Sequence, residues 1–328
     1  MSQIRKDLIV NRWVIVATER GRRPAAFVDP VNQQTDPQSC SFCQPMNEEL
    51  LLTNGQVRVF QSGTPFFLHD QPFNRQKHGL YEVSSSWGSH EVVVETPDHV
   101  ANMSDLPLDN IEKVFETYAA RMRLHHQDPA IRYVLAYKNY GVAAGSRSIG
   151  HARSQIMAIP VNPVRVKDKI SGAKRYFDFH ERCLFCDLLY QERKDGQRLI
   201  VENGEFLALM PFASRFPFEV WIIPKRHCCS FVEGVAGCEG QLAQIMKELL
   251  LRFKIGLNDP AYNYIIQSAP FQDGGGYREY PTIEEDFHWH IELIPRLTRV
   301  AGFERGTGFY INPIPPEMTA EFLRDVKI

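Results

Sequence analysis

The sequence predicts an α+β fold of two similar halves, each a mainly antiparallel sheet with helices on one side. Three observations carry this. One run of motifs occurs twice in the same order. Each copy alternates short apolar, strand-like runs with an amphipathic helix. And a C-x-x-C pair opens each copy, "CSFC" at Cys40 and Cys43 and "CLFC" at Cys183 and Cys186.

The elements follow in order. After each cysteine pair, a Glu-Val strand leads to a histidine. "HEVVVETPDH" ends at His99 and "FEVWIIPKRH" at His227, each eight positions beyond its Glu (Glu91, Glu219). A helix comes next. Ile111, Val114, Phe115, Tyr118 and Met122 recur at three and four, as do Leu242, Ile245, Met246, Leu249, Leu250 and Phe253. Each helix therefore has one apolar face. Both run out at "DPA", from Asp128 and from Asp259, where proline cannot continue a helix and the chain turns into a strand. The strands "RYVLAYKN" and "YNYIIQSA" follow, then "HARSQIMAIP" and "HWHIELIP". An order of this length repeated in register marks internal duplication. The halves are expected at 1–165 and 166–328, parted by the polar, basic stretch 162–177.

Composition narrows the class. At 328 residues, 44% hydrophobic and 23% charged, the chain can bury a full core in two ordinary domains. A net charge of -2 lacks the basic footprint of a nucleic-acid binder. No apolar run nears the roughly eighteen residues of a membrane span, and the N-terminus has no signal-peptide core. A cytoplasmic protein with no nucleic-acid or membrane partner is expected. Seven cysteines in such a chain point to metal ligation rather than disulfides.

Zinc takes four ligands, and C-x-x-C supplies two of them from one turn. The repeat supplies the rest. The first predicted site is Cys40, Cys43, His99 and His151; the second is Cys183, Cys186, His227 and His288. Two zinc ions per chain are expected. An isolated C-x-x-C has other uses, thioredoxin-like redox chemistry among them, but neither pair opens a βαβ pattern. Both halves also choose the same ligand types in the same order. Closed four-ligand sites are structural. Residues i and i+2 of a strand share a face, so position 153 should lie beside the first metal and position 290 beside the second. Cys228, Cys229 and Cys238 read as ordinary small residues.

These residues resemble the galactose-1-phosphate uridylyltransferase family of the histidine-triad superfamily, closest to its two-zinc bacterial members and similar to its ADP-glucose phosphorylase branch. The resemblance runs from "RKDLIVNRWVIVATERGRRP" through "HEVVVETPDH" and "PFASRFPFEVWIIPKRH" to "HWHIELIPRLTRVAGFERGTGFYINPIPPE". It implies a two-half histidine-triad-like fold, a homodimer, and nucleotide sugars and sugar phosphates as substrates. The implied reaction is ping-pong transfer of a nucleoside monophosphate between sugar 1-phosphate or phosphate acceptors. Its nucleophile is the second His of a first-half H-x-H-x-Q motif. By this resemblance His151 is the zinc-bound first His and Gln155 contacts the transferred phosphate. Asn139, Gly145 and Ser146 match the loop that cradles the phosphates, and Arg20 and Arg23 match basic residues near them. Phosphate oxygens want such groups: guanidinium forks, amide donors and closely approaching glycine backbone.

The sequence departs from this pattern at the nucleophile, which is Arg153. Arginine is protonated and has no lone pair to attack phosphorus. Four readings stay open: a transferase whose His was replaced, a relative that binds a phosphorylated ligand without covalent catalysis, direct single displacement with Arg153 stabilising charge, and a centre moved to His290. The last ranks lowest, because the second half lacks a Gln at the place of Gln155; His290 is expected to help bind substrate instead. A second departure is "QSGTPFF", where relatives carry an Asn-containing phrase that seats the nucleoside. Phe66 and Phe67 there read as core packing, with a stacking surface as the alternative. The expectation is a nucleotidyltransferase with an altered nucleophile; a non-catalytic nucleotide or sugar-phosphate binder is the alternative.

Overall fold

The computed structural model describes residues 2–17, 36–44, 48–70, 73–146, 150–272 and 279–328. The first half holds β1 (Gln3–Asp7), β2 (Arg12–Val16), β3 (Leu50–Asn54), β4 (Val57–Gln61), β5 (Arg75–His78), β6 (Tyr81–Ser84) and β7 (Ser89–Val94). It continues with α1 (Leu108–His126), β8 (Tyr133–Tyr140) and β9 (Arg153–Ile159). Then come α2 (Val164–His180), α3 (Leu184–Asp195), β10 (Leu199–Glu202), β11 (Phe206–Leu209), β12 (Val220–Pro224), α4 (Phe231–Gly234) and α5 (Glu239–Gly256). The chain finishes with β13 (Tyr262–Gln267), α6 (Ile283–Asp286), β14 (His290–Pro295), α7 (Gly302–Thr307), β15 (Tyr310–Asn312) and α8 (Pro316–Asp325).

The α+β class and the antiparallel pairing match the sequence reading. The structure adds that the two half-sheets are one. Ten strands run in the order β10-β11-β12-β14-β13-β8-β9-β7-β4-β3. From the seam outward, β8, β9, β7, β4, β3 mirror β13, β14, β12, β11, β10. The seam is the antiparallel pair β13–β8, with Ile265 opposite Tyr137. One row across the centre therefore reads Gln155, Tyr137, Ile265, Glu292. Apart from this sheet, β15 adds parallel to β2, tying the C-terminal half to the N-terminal strands.

Strand alternation sends one set of side chains to each face. On one face α1 and α5 lie side by side. Their apolar stripes, with Tyr118, Met122, Leu249 and Phe253, pack on Val93, Ile156, Ile222 and Ile291. Burying each such side chain contributes about 1.5–3 kcal/mol. The helix α1 is also pinned electrostatically. Glu91 of β7 takes a bidentate Arg121 at 2.6 and 2.8 Å and His125 at 2.7 Å, all buried.

The opposite face differs between the halves. In the second half α2 and α3 cover it, with Ile170, Ala173, Phe185 and Leu189 packed on Leu207, Leu209 and Trp221. The stretch read as a polar separator is thus largely a helix with a buried stripe. Its Gly172 is demanded by close approach: a Cβ there would stand 1.4 Å from the Ile9 carbonyl. On the first half, the same face carries an open cleft.

Candidate functional site

Both predicted metal groups assemble. In each, one donor atom from every ligand lies within 4.8 Å of the others. In the first, Cys43 Sγ is 3.1 Å from His99 Nδ1 and 3.5 Å from His151 Nδ1, and Cys40 Sγ is 3.8 Å from His151 Nδ1. In the second, Cys186 Sγ is 3.4 Å from His227 Nδ1 and 3.7 Å from His288 Nδ1. The donor set fits zinc: two thiols and two imidazole nitrogens converge, the four ligands of a structural site. Tautomers agree. His151 donates from Nε2 to the Thr96 carbonyl at 2.7 Å and His227 to the Glu284 carbonyl at 2.9 Å, which leaves each Nδ1 as a lone-pair donor. His288 Nε2 is buried without a partner among the described residues.

His151 and His288 stand just before their strands, not within them: β9 begins at Arg153 and β14 at His290. The first metal turn and β9 together place Arg153. Phe42, the third residue of "CSFC", lies under its guanidinium at 4.9 Å from ring centroid to Cζ. Nη2 donates to Ser146 Oγ at 3.1 Å. Its carbonyl accepts from Lys138 Nζ at 3.1 Å, and that buried ammonium is paired with Glu95 at 2.7 Å. Burial presses the Arg153 pKa down, against the pull of Cys40 and Glu95, yet a guanidinium stays charged at neutral pH.

Arg153 faces a cleft of about 710 Å³ that Gln155, Asn139, Gly145 and Ser146 also line. The amides are oriented by what they already hold. Gln155 Oε1 accepts from Tyr137 Oη and from His90 Nε2, both at 2.8 Å, so its NH2 is the group left for a ligand. Asn139 Oδ1 accepts from Asn263 Nδ2 at 2.7 Å, and the same Asn263 amide holds the Ala144 carbonyl at 2.9 Å. The second half thereby fixes the cleft loop across the seam. Gly145 sits at φ +91°, a left-handed conformation that glycine adopts freely, with Asn139 Nδ2 3.8 Å from where a Cβ would be. Together the cleft offers a cation, two amide donors and a hydroxyl, a set suited to phosphate oxygens.

Two expectations need correction. His290 does not reach this cleft. It is fully buried, and its Nδ1 donates to the His288 carbonyl at 3.0 Å while Nε2 accepts from Lys169 Nζ at 2.8 Å. Burial first, and the Lys169 charge second, push its pKa well down, so it is neutral. Lys169, from α2, also pairs with Glu292 at 2.5 Å, and Glu292 with Arg215 at 2.7 Å. Phe66, read as core packing, is instead 64% exposed at the cleft wall. Arg20 and Arg23 lie outside the described residues.

Sequence reasoning missed His90, Tyr137, Phe42 and Lys138. The signal for His90 was present. Glu91 points to α1, so alternation along β7 turns His90 to the cleft face. Burial lowers the His90 pKa, with its Gln155 hydrogen bond and the Glu91 charge opposing.

Comparison with known proteins agrees with this architecture. Residues 1–163 match the family model for the galactose-1-phosphate uridyl transferase N-terminal domain, and residues 169–306 match that for its C-terminal domain. An ADP-glucose phosphorylase of Arabidopsis thaliana is 34% identical over 99% of this chain and 93% of its own length. A galactose-1-phosphate uridylyltransferase of Thermotoga maritima is 30% identical over 100% and 99%. The crystal structure of an Arabidopsis thaliana ADP-glucose phosphorylase with bound ADP-glucose superposes with a TM-score of 0.82 at 31% identity, covering all of both chains. With near-complete coverage by relatives at this identity, and both halves matched in sequence order, the chain belongs to the galactose-1-phosphate uridylyltransferase family.

Proposed function

We propose that this chain binds a nucleotide sugar in the first-half cleft and transfers its nucleotidyl group to a sugar 1-phosphate or to phosphate by direct displacement. The observation that carries the reading is the charged guanidinium of Arg153, held by Phe42 and Ser146 at the place of the expected nucleophile. It cannot form a covalent nucleotidyl intermediate, but it can neutralise and orient phosphate oxygens. An acceptor phosphate oxygen, anionic at neutral pH, would bond to the α-phosphorus as the bond to the leaving sugar phosphate breaks. Arg153 would take up charge on the non-bridging oxygens, with the Gln155 and Asn139 amides donating beside it. The substrate class is supported by the two named relatives, one a phosphorylase of ADP-glucose, the other a uridylyltransferase of galactose 1-phosphate.

In this reading residues 1–165 supply the site and residues 166–328 brace it. Zinc at the two Cys2His2 groups would supply rigidity: the first ion would fix Phe42 and the entry to β9, and the second the entry to β14. We read the protein as a cytoplasmic homodimer; a monomer by sedimentation would overturn the second half of that statement.

The test is kinetic. With UDP-glucose or ADP-glucose as donor and a hexose 1-phosphate or phosphate as acceptor, direct transfer gives intersecting initial-rate lines, inversion at phosphorus and no labelled protein. Parallel lines, or protein labelled from the nucleotide, would refute it. Binding without turnover is the second reading, favoured by the missing lone pair at position 153. It predicts saturable nucleotide-sugar binding and no product.

A further inference from the structure

Asn263 belongs to the second half, yet its side chain reaches the loop that walls the first-half cleft. The seam register causes this. On the pair β13–β8, Asn263 stands directly opposite Asn139, so the two side chains share one face of the sheet. Tyr137, two residues before Asn139, points to that same face, the face of the cleft. The polarity of the pair is set by a third group. Two facing amides can bond either way round, because each presents a donor at one end and an acceptor at the other. The Ala144 carbonyl removes the choice. A backbone carbonyl accepts and cannot donate, and it lies 2.9 Å from the same Asn263 atom that meets Asn139 at 2.7 Å. That atom is therefore Nδ2, and both its hydrogens are used. Asn139 must face it with Oδ1. The planar amide then carries Asn139 Nδ2 to the other side, where it stands 3.8 Å from the place of a Gly145 Cβ. Ala144 ends the short turn Val142–Ala144. One carbonyl of the cleft loop thus fixes the Asn263 amide, and Asn263 fixes the Asn139 amide. The strands themselves are clamped beside this relay. Asp259, just before β13, accepts from Tyr140 Oη at 2.7 Å and from Asn102 Nδ2 at 2.6 Å.

We infer that Asn263 is a positioning residue for the ligand: it holds the Asn139 carbonyl inward, so that the Asn139 NH2 is presented to the phosphates of a bound nucleotide. The inference rests on the nucleotide-sugar reading of the cleft. Phosphate oxygens accept hydrogen bonds and do not donate them at neutral pH, so an amide beside them is useful in one orientation and repulsive in the other. Without Asn263 the Asn139 amide can turn and set its carbonyl oxygen against a phosphate oxygen. The second half therefore takes part in ligand binding without touching the ligand. Its contribution crosses the seam through one side chain at one register position.

Calorimetric titration of the full chain with ADP-glucose and UDP-glucose, run as a double-mutant cycle, tests this. Asn139→Ala removes the donor and should weaken binding by about 10- to 100-fold, the worth of one hydrogen bond to a charged group. Asn263→Leu is close in size, has no polar atoms and leaves Asn139 in place. It should lose affinity by a factor of the same order. The two losses should overlap. Asn139→Ala combined with Asn263→Leu should bind within about threefold of Asn139→Ala alone, because the group through which Asn263 acts is already gone. A residue that merely supports the fold gives losses that multiply. Asn263→Ala repeats the cycle, and stands in for Asn263→Leu should that variant not fold. Wild-type protein that binds neither nucleotide sugar overturns the proposed function itself, and this inference with it. Wild type that binds them, with Asn263→Leu and Asn263→Ala binding equally well, overturns the positioning role alone. So does a combined loss equal to the product of the single losses. An Asn139→Ala protein that binds like wild type removes the donor and refutes the inference too.

Discussion

Arg153 and His290 each open the strand that follows a histidine of a Cys2His2 group, yet the Arg153 guanidinium faces an open cleft while the His290 imidazole is sealed under Lys169 at 2.8 Å. The two halves repeat one strand order and differ in what surrounds this position. In the first half the strand presents its side chain to an open cleft; in the second, α2 and α3 close over it. Only position 153 is placed to meet a ligand. Replacing Arg153 with Ala should weaken nucleotide-sugar binding by about 10- to 100-fold, the value of a lost charge-assisted hydrogen bond of about 1.5–3 kcal/mol. Arg153→His should do something different: it returns a lone pair to the cleft and should yield protein labelled by radioactive nucleotide sugar. No label on Arg153→His, from protein that still binds nucleotide sugar, would argue against nucleotidyl transfer and for a binding protein.

Lys169 tests the other side of this asymmetry. Its ammonium bridges His290 Nε2 and Glu292, and Glu292 also holds Arg215. Removing one partner of a buried ion network leaves charge uncompensated and costs about 3–5 kcal/mol. Lys169→Met should lower unfolding stability by that order in urea melts, while glucose 1-phosphate affinity stays unchanged. A loss of affinity with no loss of stability would return the second half to the binding site.

The metal groups should separate in the same way. Elemental analysis should find two zinc ions per chain, because two complete Cys2His2 groups are built. His151→Asn and His288→Asn should each lose one ion and destabilise the fold by about 4 kcal/mol or more, as removal of a structural metal does. They differ in function. His151 neighbours Phe42, the ring under Arg153, so His151→Asn should also weaken nucleotide-sugar binding. His288→Asn should leave the cleft intact. Equal functional damage from both would mean that the metals act only through global stability.

Much of this is legible in the sequence. The stripes of α1 and α5 follow from spacing at three and four, and the two ligand sets follow from the repeated order. What stayed hidden depends on which edges meet. Alternation assigns faces but does not say that β8 hydrogen-bonds β13, so one shared sheet read as two. Helix α2 was obscured because its buried Val166, Ile170 and Ala173 sit among charged residues, and its buried Lys169 looked like one more solvated cation. That hidden helix explains the misplaced His290. Phe66 reads as packed for a general reason: an apolar loop residue is more often packed than displayed, and sequence does not reveal that its ring stacks on a histidine at the cleft wall.

Glu91 gives the last prediction, on pH. Burial works to raise its pKa, but the hydrogen bonds and charges of His125 and Arg121 prevail and hold it at about 2, below an ordinary value of 4.5. A carboxylate with a depressed folded pKa contributes stability that is complete above the unfolded value and is lost as pH falls through the folded one. The window is therefore pH 4.5 down to about 2. Across it this one group should withdraw about 3 kcal/mol. Glu91→Gln cannot titrate there. It should be less stable than wild type at pH 7, because Arg121 and His125 lose their anion, but its stability should fall less between pH 4.5 and 2. Acid also strips the metal groups, but that happens in both proteins and cancels in their difference. Urea melts of the two proteins at pH 7, 4.5 and 2 measure it. Curves that stay parallel throughout would show that the Glu91 network does not carry the acid limb.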